Sequence, residues 1–296
     1  MATVSCGGTS ERYRLIEKLR PTLKVTYLCE FLEVSASGFY DWCNRSPSER
    51  SLEDVKLKRL IQKIHTDAEE AYGSPRVHQV LKKQGVHVGR KRVERLMREL
   101  GLSGRVVKVT RRSPGTKRYL AAGENLRLGK SGPTAVDQVW VADITYLKVK
   151  NRWMYLSVIM DLYSRKVIAW TLDKKRTTDV TKRTLRYAIR KRDAKPGLIF
   201  HTDRGCEYRG KEFQKALKGH GFKHSLNRAG CCTDNAHMES FFHSMKAELI
   251  RGRHYKTEPE LRYALQKYIN RFYNTKRLHS GIGYNSPIEY EQLTAQ

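Results

Sequence analysis

Residues 139–149 read VWVADITYLKV, an alternating apolar run with one carboxylate, Asp143, set mid-way along it. β-Branched and aromatic residues at this density mark a strand, and the surroundings repeat the pattern. Gln138–Val149, Trp153–Asp161 and Lys166–Leu172 are three such runs, separated by the turn-like Lys150-Asn151-Arg152 and Tyr163-Ser164-Arg165. Beyond them, Thr178–Arg192 has helical spacing and many basic residues, Gly197–His201 is a short apolar strand and Gly210–His220 is a second helix. Strand, strand, strand, helix, strand, helix, strand, helix is the order of an α/β domain, and its start is expected near Pro133.

Two more acidic residues stand in comparable settings. IFHTDRGCEY (199–208) ends a short apolar run in Asp203, just before a glycine-containing turn, and CTDNAHMESFFHSMKAEL (232–249) places Glu239 one turn into an amphipathic helix running to about Ile250. Thr233 or Asp234 is the expected cap. Met238, Phe241, Met245 and Leu249 form the apolar stripe of that helix; Asn235, Glu239, His243 and Lys246 share an adjoining face at ~100° per residue. Two strand positions and one helix position can converge, so Asp143, Asp203 and Glu239 are the candidate catalytic residues and metal ligands. Carboxylates with few other ligands suit hard divalent cations, Mg²⁺ or Mn²⁺, which keep waters and bind substrate phosphate. Two such ions, roughly 3.5–4 Å apart, can stabilise both the attacking and the leaving oxygen of a phosphoryl displacement.

Neighbouring residues admit two readings each. Lys246 is a candidate contact to the substrate's phosphate or a surface lysine; Asn235 is a candidate for the place where metal, water and phosphate meet. Arg204 either touches phosphate or orients Asp203. His201 is expected to pack at the strand end, and His243 to meet solvent or backbone. Asp161 is a rival for the first acid, although strand alternation favours Asp143.

Ahead of this domain, Val25–Leu32, the turn Glu33-Val34-Ser35 and a helix containing Phe39, Tyr40 and Trp42 give a helix-turn-helix layout, with Ser35 as cap and two short helices between about Arg12 and Trp42. This region is nearly neutral, 7 basic against 6 acidic residues over 1–50, so packing and DNA contact are equally open to it. A second unit spans Glu53–Leu102: Leu57, Leu60, Ile61 and Ile64 space one helix, SPRVHQVLKK (74–83) starts another with Pro75 near its N1 position, and a third runs from about Arg90 to Leu100. On that last helix Val93, Leu96, Met97 and Leu100 share a face, while Lys91, Arg95 and Arg98 lie opposite, as phosphate contact or groove insertion requires. Residues 103–133 read as a basic linker with eight Lys/Arg against Glu124 alone. The expected division is therefore 1–50, 51–102, 103–133 and 134–296.

The 58 Lys and Arg against 30 Asp and Glu give a net charge of +28, and residues 101–200 alone hold 23 basic and 7 acidic side chains. Such an excess suits a polyanion, because neutralising phosphates releases condensed counterions. Cys6, Cys29, Cys43, Cys206, Cys231 and Cys232 contain no C-x-x-C pair and no zinc-finger spacing, which points to a reducing compartment, and the adjacent Cys231 and Cys232 are expected to be buried thiols. No apolar stretch approaches the ~20 residues of a membrane span. A cytoplasmic, nucleoid-associated protein is expected.

The three acid motifs resemble those of the DDE transposases in the retroviral-integrase superfamily, in particular the insertion-sequence transposases of the IS-three family. HTDRGCEY is similar to that family's second-aspartate motif and DNAHMESFFHSMKAEL to its glutamate helix. YNTKRLHSGIGYNSP (273–287) is similar to its tail, and the resemblance runs from about Arg12 to Glu291. One departure is Thr233, where the family more often has a ring residue. The resemblance implies an RNase H-like core, a mixed five-stranded sheet flanked by helices, preceded by all-α helix-turn-helix modules. It implies strand cleavage at the element's 3′ ends and strand transfer by a copy-out/paste-in route on double-stranded DNA, by a homo-oligomer. It also implies a downstream-frame protein that works with an upstream-frame partner or fusion. The alternatives are a retroelement integrase, whose His-x-x-x-His zinc module is missing ahead of the core, and a DNA-binding regulator that has lost catalysis, which should lack one of the acids.

Overall fold

The computed structural model describes residues 8–105, 124–229 and 231–295, without the side chains of Cys232 and Thr233. Most of the expected linker and the Thr233 cap therefore lie outside the described residues. Four helices come first: α1 (Thr9–Leu19), α2 (Val25–Phe31), α3 (Ala36–Asn44) and α4 (Glu49–Asp67). The chain divides within α4 into two compact units, Met1–Arg59 and Leu60–Gln296.

The first unit closes around Ile16, Leu28, Cys29, Leu32 and Phe39. Tyr13 packs against Phe39 with ring centroids 5.9 Å apart. Ser35 caps α3 as its sequence suggests, its Oγ accepting from the Gly38 amide at 3.3 Å. Where two helices were expected between Arg12 and Trp42, there are three: α1 supplies Ile16 to the core, and its long polar stretches hide that apolar face in the sequence.

In the second unit, α5 (Ser74–Lys83), with its proline in the first turn, and α6 (Arg90–Glu99) follow the end of α4. Val77, Leu81, Val93, Leu96 and Met97 are buried, which puts the basic face of α6 outward. The sheet then builds from β1 (Val139–Val149), β2 (Arg152–Asp161) and β3 (Val167–Asp173), followed by α7 (Thr178–Lys191), β4 (Ile199–Thr202), the short α8 (Cys206–Arg209), α9 (Lys211–Gly219) and β5 (Lys223–Leu226). Its order is β3-β2-β1-β4-β5, with β1 antiparallel to β2 and parallel to β4. A mixed five-stranded sheet with helices on its faces is the RNase H-like architecture.

β1 is central, and its burial shows it. Val139 to Ala142 are all buried because both faces are covered, whereas from Thr145 to Val149 the strand alternates in and out. The β1–β2 hairpin is tighter than its sequence suggested: Val149 pairs with Arg152, leaving a two-residue loop with Lys150 at φ 49°. One sheet face packs on α7 and α9 through Trp140, Ile159, Leu185, Phe200, Phe213 and Phe222. Each large apolar side chain so buried contributes roughly 1.5–3 kcal/mol.

α10 (Ala236–Met245) carries Glu239, α11 (Glu258–Gln266) follows, and α12 (Pro287–Thr294) closes the chain with a complete capping box between Ser286 and Glu289. Met238, Phe241, Met245 and Leu249 are buried as the stripe predicts. The expected helix to Ile250 changes register, however: Lys246–Ile250 is π-helical, and the Arg251 amide reaches the Lys246 carbonyl at 2.8 Å. Asp234 does not cap α10 either. Its carboxylate accepts from Asn125 Nδ2 at 2.9 Å and from the Arg228 guanidinium at 3.0 Å, which holds it well below the usual carboxylate range, and Asn235 takes the cap position. Residues 124–126 of the expected linker run along β5: the Leu226 amide donates to the Glu124 carbonyl and the Leu126 amide to Ser225 Oγ, both at 3.0 Å.

Candidate active site

Parallel pairing of β1 with β4 decides the site. Ala142 is in register with Thr202, so Asp143 and Asp203 are each one residue beyond the last pair on adjacent strands. Asp143 Oδ1 accepts from the Ile144 amide at 2.7 Å, and Asp203 Oδ1 from the Gly205 amide at 3.0 Å. Burial and the neighbouring Asp203 carboxylate push Asp143 well above the usual carboxylate range, against the pull of the Ile144 amide and Arg176. Asp203 is raised by burial and then by Glu207, with the Gly205 amide and Arg176 opposing. Two desolvated, mutually repelling oxygen donors are the chemistry that a hard divalent cation relieves, and in that respect the pair fits one.

Two residues of this site escape sequence reasoning. Glu207, buried in α8, is held by Arg176, which donates from Nε to Oε1 at 2.7 Å. Burial works against the charge of Arg176, but Glu207, Asp203 and Asp143 outweigh it and keep the guanidinium protonated. Gly205 permits this crowding: a Cβ there would lie 2.7 Å from Glu207 Oε1 and 2.9 Å from Asp203 Oδ1. The only sequence signal for Glu207 is its place as the second acid of HTDRGCEY, and Arg176, in the β3–α7 loop, has none.

Glu239 is in the first turn of α10, exposed, and is not gathered with the two aspartates. Among the described residues no group of three His, Cys, Asp or Glu side chains is placed to hold a metal ion. Its helix is nonetheless fixed beside them, because Asn235 Nδ2 donates to the Ala142 carbonyl at 3.2 Å, one residue before Asp143. Asn235 is buried in this role and does not face solvent, unlike a DNA contact. Lys246 does reach the site: it lies 4.6 Å from the Tyr146 ring centroid, and burial lowers its pKa while Asp143 pulls the other way. Arg204 donates from Nε to the Asn227 carbonyl at 2.6 Å, tying the β4–α8 turn to the end of β5.

The remaining sequence candidates separate cleanly. Asp161 is fully buried at the far end of β2, paired with Trp140, and its carboxylate accepts from the Ser164 amide at 2.8 Å and the Asp137 amide at 2.7 Å; it organises turns. His201 is buried with Nδ1 2.9 Å from Ser225 Oγ, and burial holds it neutral with a pKa of about 4. His243 is half-buried on α10. On α6, Lys91 is exposed, Arg95 Nη1 donates to Glu99 Oε1 at 2.6 Å, and Arg98 lies 3.8 Å from Glu94 Oε1.

This sheet, with Asp143 part-way along β1 brought beside Asp203 at the end of the adjacent parallel strand β4 and a third acid on the helix fastened next to them, is that of an integrase-core enzyme of the DNA-cleaving, nuclease type. Family models agree: "Integrase core domain" matches residues 133–232 and again 239–294, and "HTH-like domain" matches 51–110. Transposase InsF for insertion sequence IS3A of Escherichia coli (strain K12) is 34% identical over 286 residues, covering 95% of this chain and 98% of that protein. The insertion element IS600 uncharacterized 31 kDa protein of Shigella sonnei is 35% identical over 272 residues, covering 90% of this chain and 100% of the relative. The HTLV-2 integrase catalytic core domain in complex with magnesium, a solved structure, is similar at 20% identity and TM-score 0.37 over 53% of this chain and 97% of its own. The chain belongs to the IS3 family of insertion-sequence transposases. None of the described helices is long and apolar enough to cross a membrane.

Proposed function

We propose that this transposase cuts the 3′ ends of its own element and joins them to DNA at a site formed by Asp143, Asp203 and Glu239. The observation that carries the reading is the placement of Asp143 beside Asp203 on adjacent parallel strands, both with raised proton affinity. Those three carboxylates would hold Mg²⁺ or Mn²⁺, two ions per site. When bound, the metal supplies Lewis-acid stabilisation of charge on the phosphoryl oxygens and makes water a stronger nucleophile near neutral pH.

The protein's own groups do the rest. Asn235 fixes α10 to β1, so that Glu239 can complete the set from the first turn of the helix. Arg176 holds Glu207 away from the entering phosphate and leaves Asp143 and Asp203 as the open donors. Lys246 grips the DNA backbone next to Asp143. Residues 51–102 engage the ends of the element, 134–296 carry the chemistry, and 103–133 join the two along the DNA. Copy-out/paste-in transfer by a homo-oligomer on nucleoid DNA, working with an upstream-frame partner or fusion, completes the proposal.

The test is incubation of the full chain with DNA bearing the element's own ends, with and without Mg²⁺ or Mn²⁺. Cleavage and joining should need the cation and should disappear in Asp143→Asn, Asp203→Asn and Glu239→Gln. Wild-type cleavage by any one of these variants removes that residue from the site.

A further inference from the structure

The opposite side of α10 holds a second charged site. A cavity of about 290 Å³ is lined by Arg76 from α5, Arg165 from the β2–β3 turn and Arg277 from the tail, with Ser240, Ser244 and Ser280 supplying hydroxyls. No carboxylate is among its lining residues. Three guanidiniums from separate parts of one compact unit repel one another, so their gathering needs a cause. Glu248 supplies part of it: Arg277 donates to both its oxygens, from Nη2 at 2.7 Å and Nε at 2.9 Å, with both side chains buried. Arg76 is held by the Leu278 carbonyl at 3.1 Å and by the Tyr72 ring. Arg165 has no such explanation. Its Nη1 is buried without a hydrogen-bond partner among the described residues, and its backbone is left-handed at φ 65°, a conformation that costs a side-chain-bearing residue energy. His279, also on the wall, has a buried Nε2 in the same condition. Burial and the three arginines keep this imidazole neutral.

Unsatisfied donors, convergent guanidiniums and hydroxyls at an opening formed by exposed Ser280 and Gly281 describe a receptor for a tetrahedral oxyanion. We propose that this cavity binds one phosphate group, supplied by the backbone of the bound DNA, and that Arg277, His279 and Ser280 of the YNTKRLHS tail help form it. The site rests on the reading of the chain as a DNA transposase and adds to it a fixed anchor across α10 from the carboxylates. An anchored phosphate there would set the register of the strand relative to Asp143 and Asp203, since phosphate contacts position a duplex without reading its sequence.

The test uses the full chain in EDTA, so that it is independent of cleavage. Affinity for a labelled duplex is measured over a range of salt concentrations for wild type, Arg165→Gln and Ser280→Asp, the last adding a carboxylate at an exposed position. Loss of one phosphate contact should flatten the slope of log K against log salt by about 0.9 in each variant. A second arm follows melting temperature on titration with inorganic phosphate, and stabilisation of wild type but not of Arg165→Gln is expected. A change in the phosphate arm alone assigns the site to free phosphate instead of the DNA backbone. Unchanged slopes and unchanged phosphate response in folded variants overturn the proposal. Failure of the transposase reading would show separately, as absent cleavage by the wild type in Mg²⁺.

Discussion

α10 separates two regions of opposite charge, each fixed by one ion pair. On the β1 side, Asp143, Asp203 and Glu207 crowd together with Arg176 as counter-ion. On the tail side, Arg76, Arg165 and Arg277 gather with Glu248 as anchor. Arg176 is engaged with Glu207, so the two aspartates remain desolvated and mutually repelling; Glu248 is engaged with Arg277, so Arg165 keeps an unpaired donor. In each region one ion pair fixes the scaffold and leaves the remaining charge exposed to a ligand of opposite sign. The helix that divides them carries Glu239 on one face and Ser240 and Ser244 on the side of the basic cavity, so the two proposed sites share one element.

The largest expected effect tests whether the two sides are functionally separate. Asp203→Asn should lower Mg²⁺-dependent cleavage by roughly a thousandfold or more, the several kcal/mol of charge stabilisation lost with the metal. The same variant should leave the salt slope of DNA binding in EDTA as in wild type. A salt slope altered as much as in Arg165→Gln would mean that the acidic and basic regions act as one surface.

Next in size is the anchor of the basic side. Glu248→Ala leaves a buried Arg277 unpaired and should cost about 3–5 kcal/mol in urea denaturation. Glu248→Leu combined with Arg277→Met should recover most of it, because two apolar side chains avoid the desolvation that the ion pair must overcome. A loss below about 1 kcal/mol in the single variant would show that the cavity wall does not depend on this pair.

How much of each region was legible in the sequence follows from its contacts. Asp143 and Asp203 each break or end an apolar run and Glu239 stands beside a helical apolar stripe, so local period alone reveals all three, and the succession of strands and helices along the chain follows from the same patterns. The basic cavity is assembled from positions 76, 165 and 277, and no periodicity links α5, a turn and the tail. Tyr72 illustrates the same limit: its hydroxyl donates to the Lys276 carbonyl and accepts from the Leu278 amide, both at 2.9 Å, seating α5 on the tail. The π-helical turn at Lys246 was equally hidden, because the sequence reads as an ordinary helical stripe through Leu249. Arg176 falls in the β3–α7 loop and is recognisable only once the fold brings that loop against Glu207 of α8.

A smaller effect concerns the acid side without metal. The folded pKa of Asp143 is raised above its unfolded value of about 3.9, so the folded state binds more protons across that window and stability falls as pH rises through it. Neutralising the carboxyl removes the loss. In EDTA at neutral pH, Asp143→Asn should therefore be more stable than wild type by on the order of 1 kcal/mol, moving Tm by about 2–4 °C at this chain size. Added Mg²⁺ should raise the wild-type Tm and leave that of the variant in place. A variant less stable than wild type in EDTA would mean that the acid pair is satisfied as it stands.

The smallest effect distinguishes the arginines on the outer face of α6 from those lining the cavity beside α10. Arg95 is paired to Glu99, and Arg98 to Glu94 with 79% of its side chain exposed. Exposed i,i+4 pairs contribute only ~0.3–0.5 kcal/mol, so phosphate can displace the carboxylates at little cost. The helix has no Asn or Gln that would read adenine beside them. Arg98→Ala should accordingly weaken cognate ends and random duplex alike, by less than about 1 kcal/mol, and flatten the salt slope by about one unit. Base reading predicts a different pattern: a loss of about 1–3 kcal/mol on the cognate end and almost none on random DNA. Competition titrations at two salt concentrations separate the outcomes. A loss confined to the cognate end would make α6 the sequence reader and leave the cavity beside α10 as the sequence-independent grip.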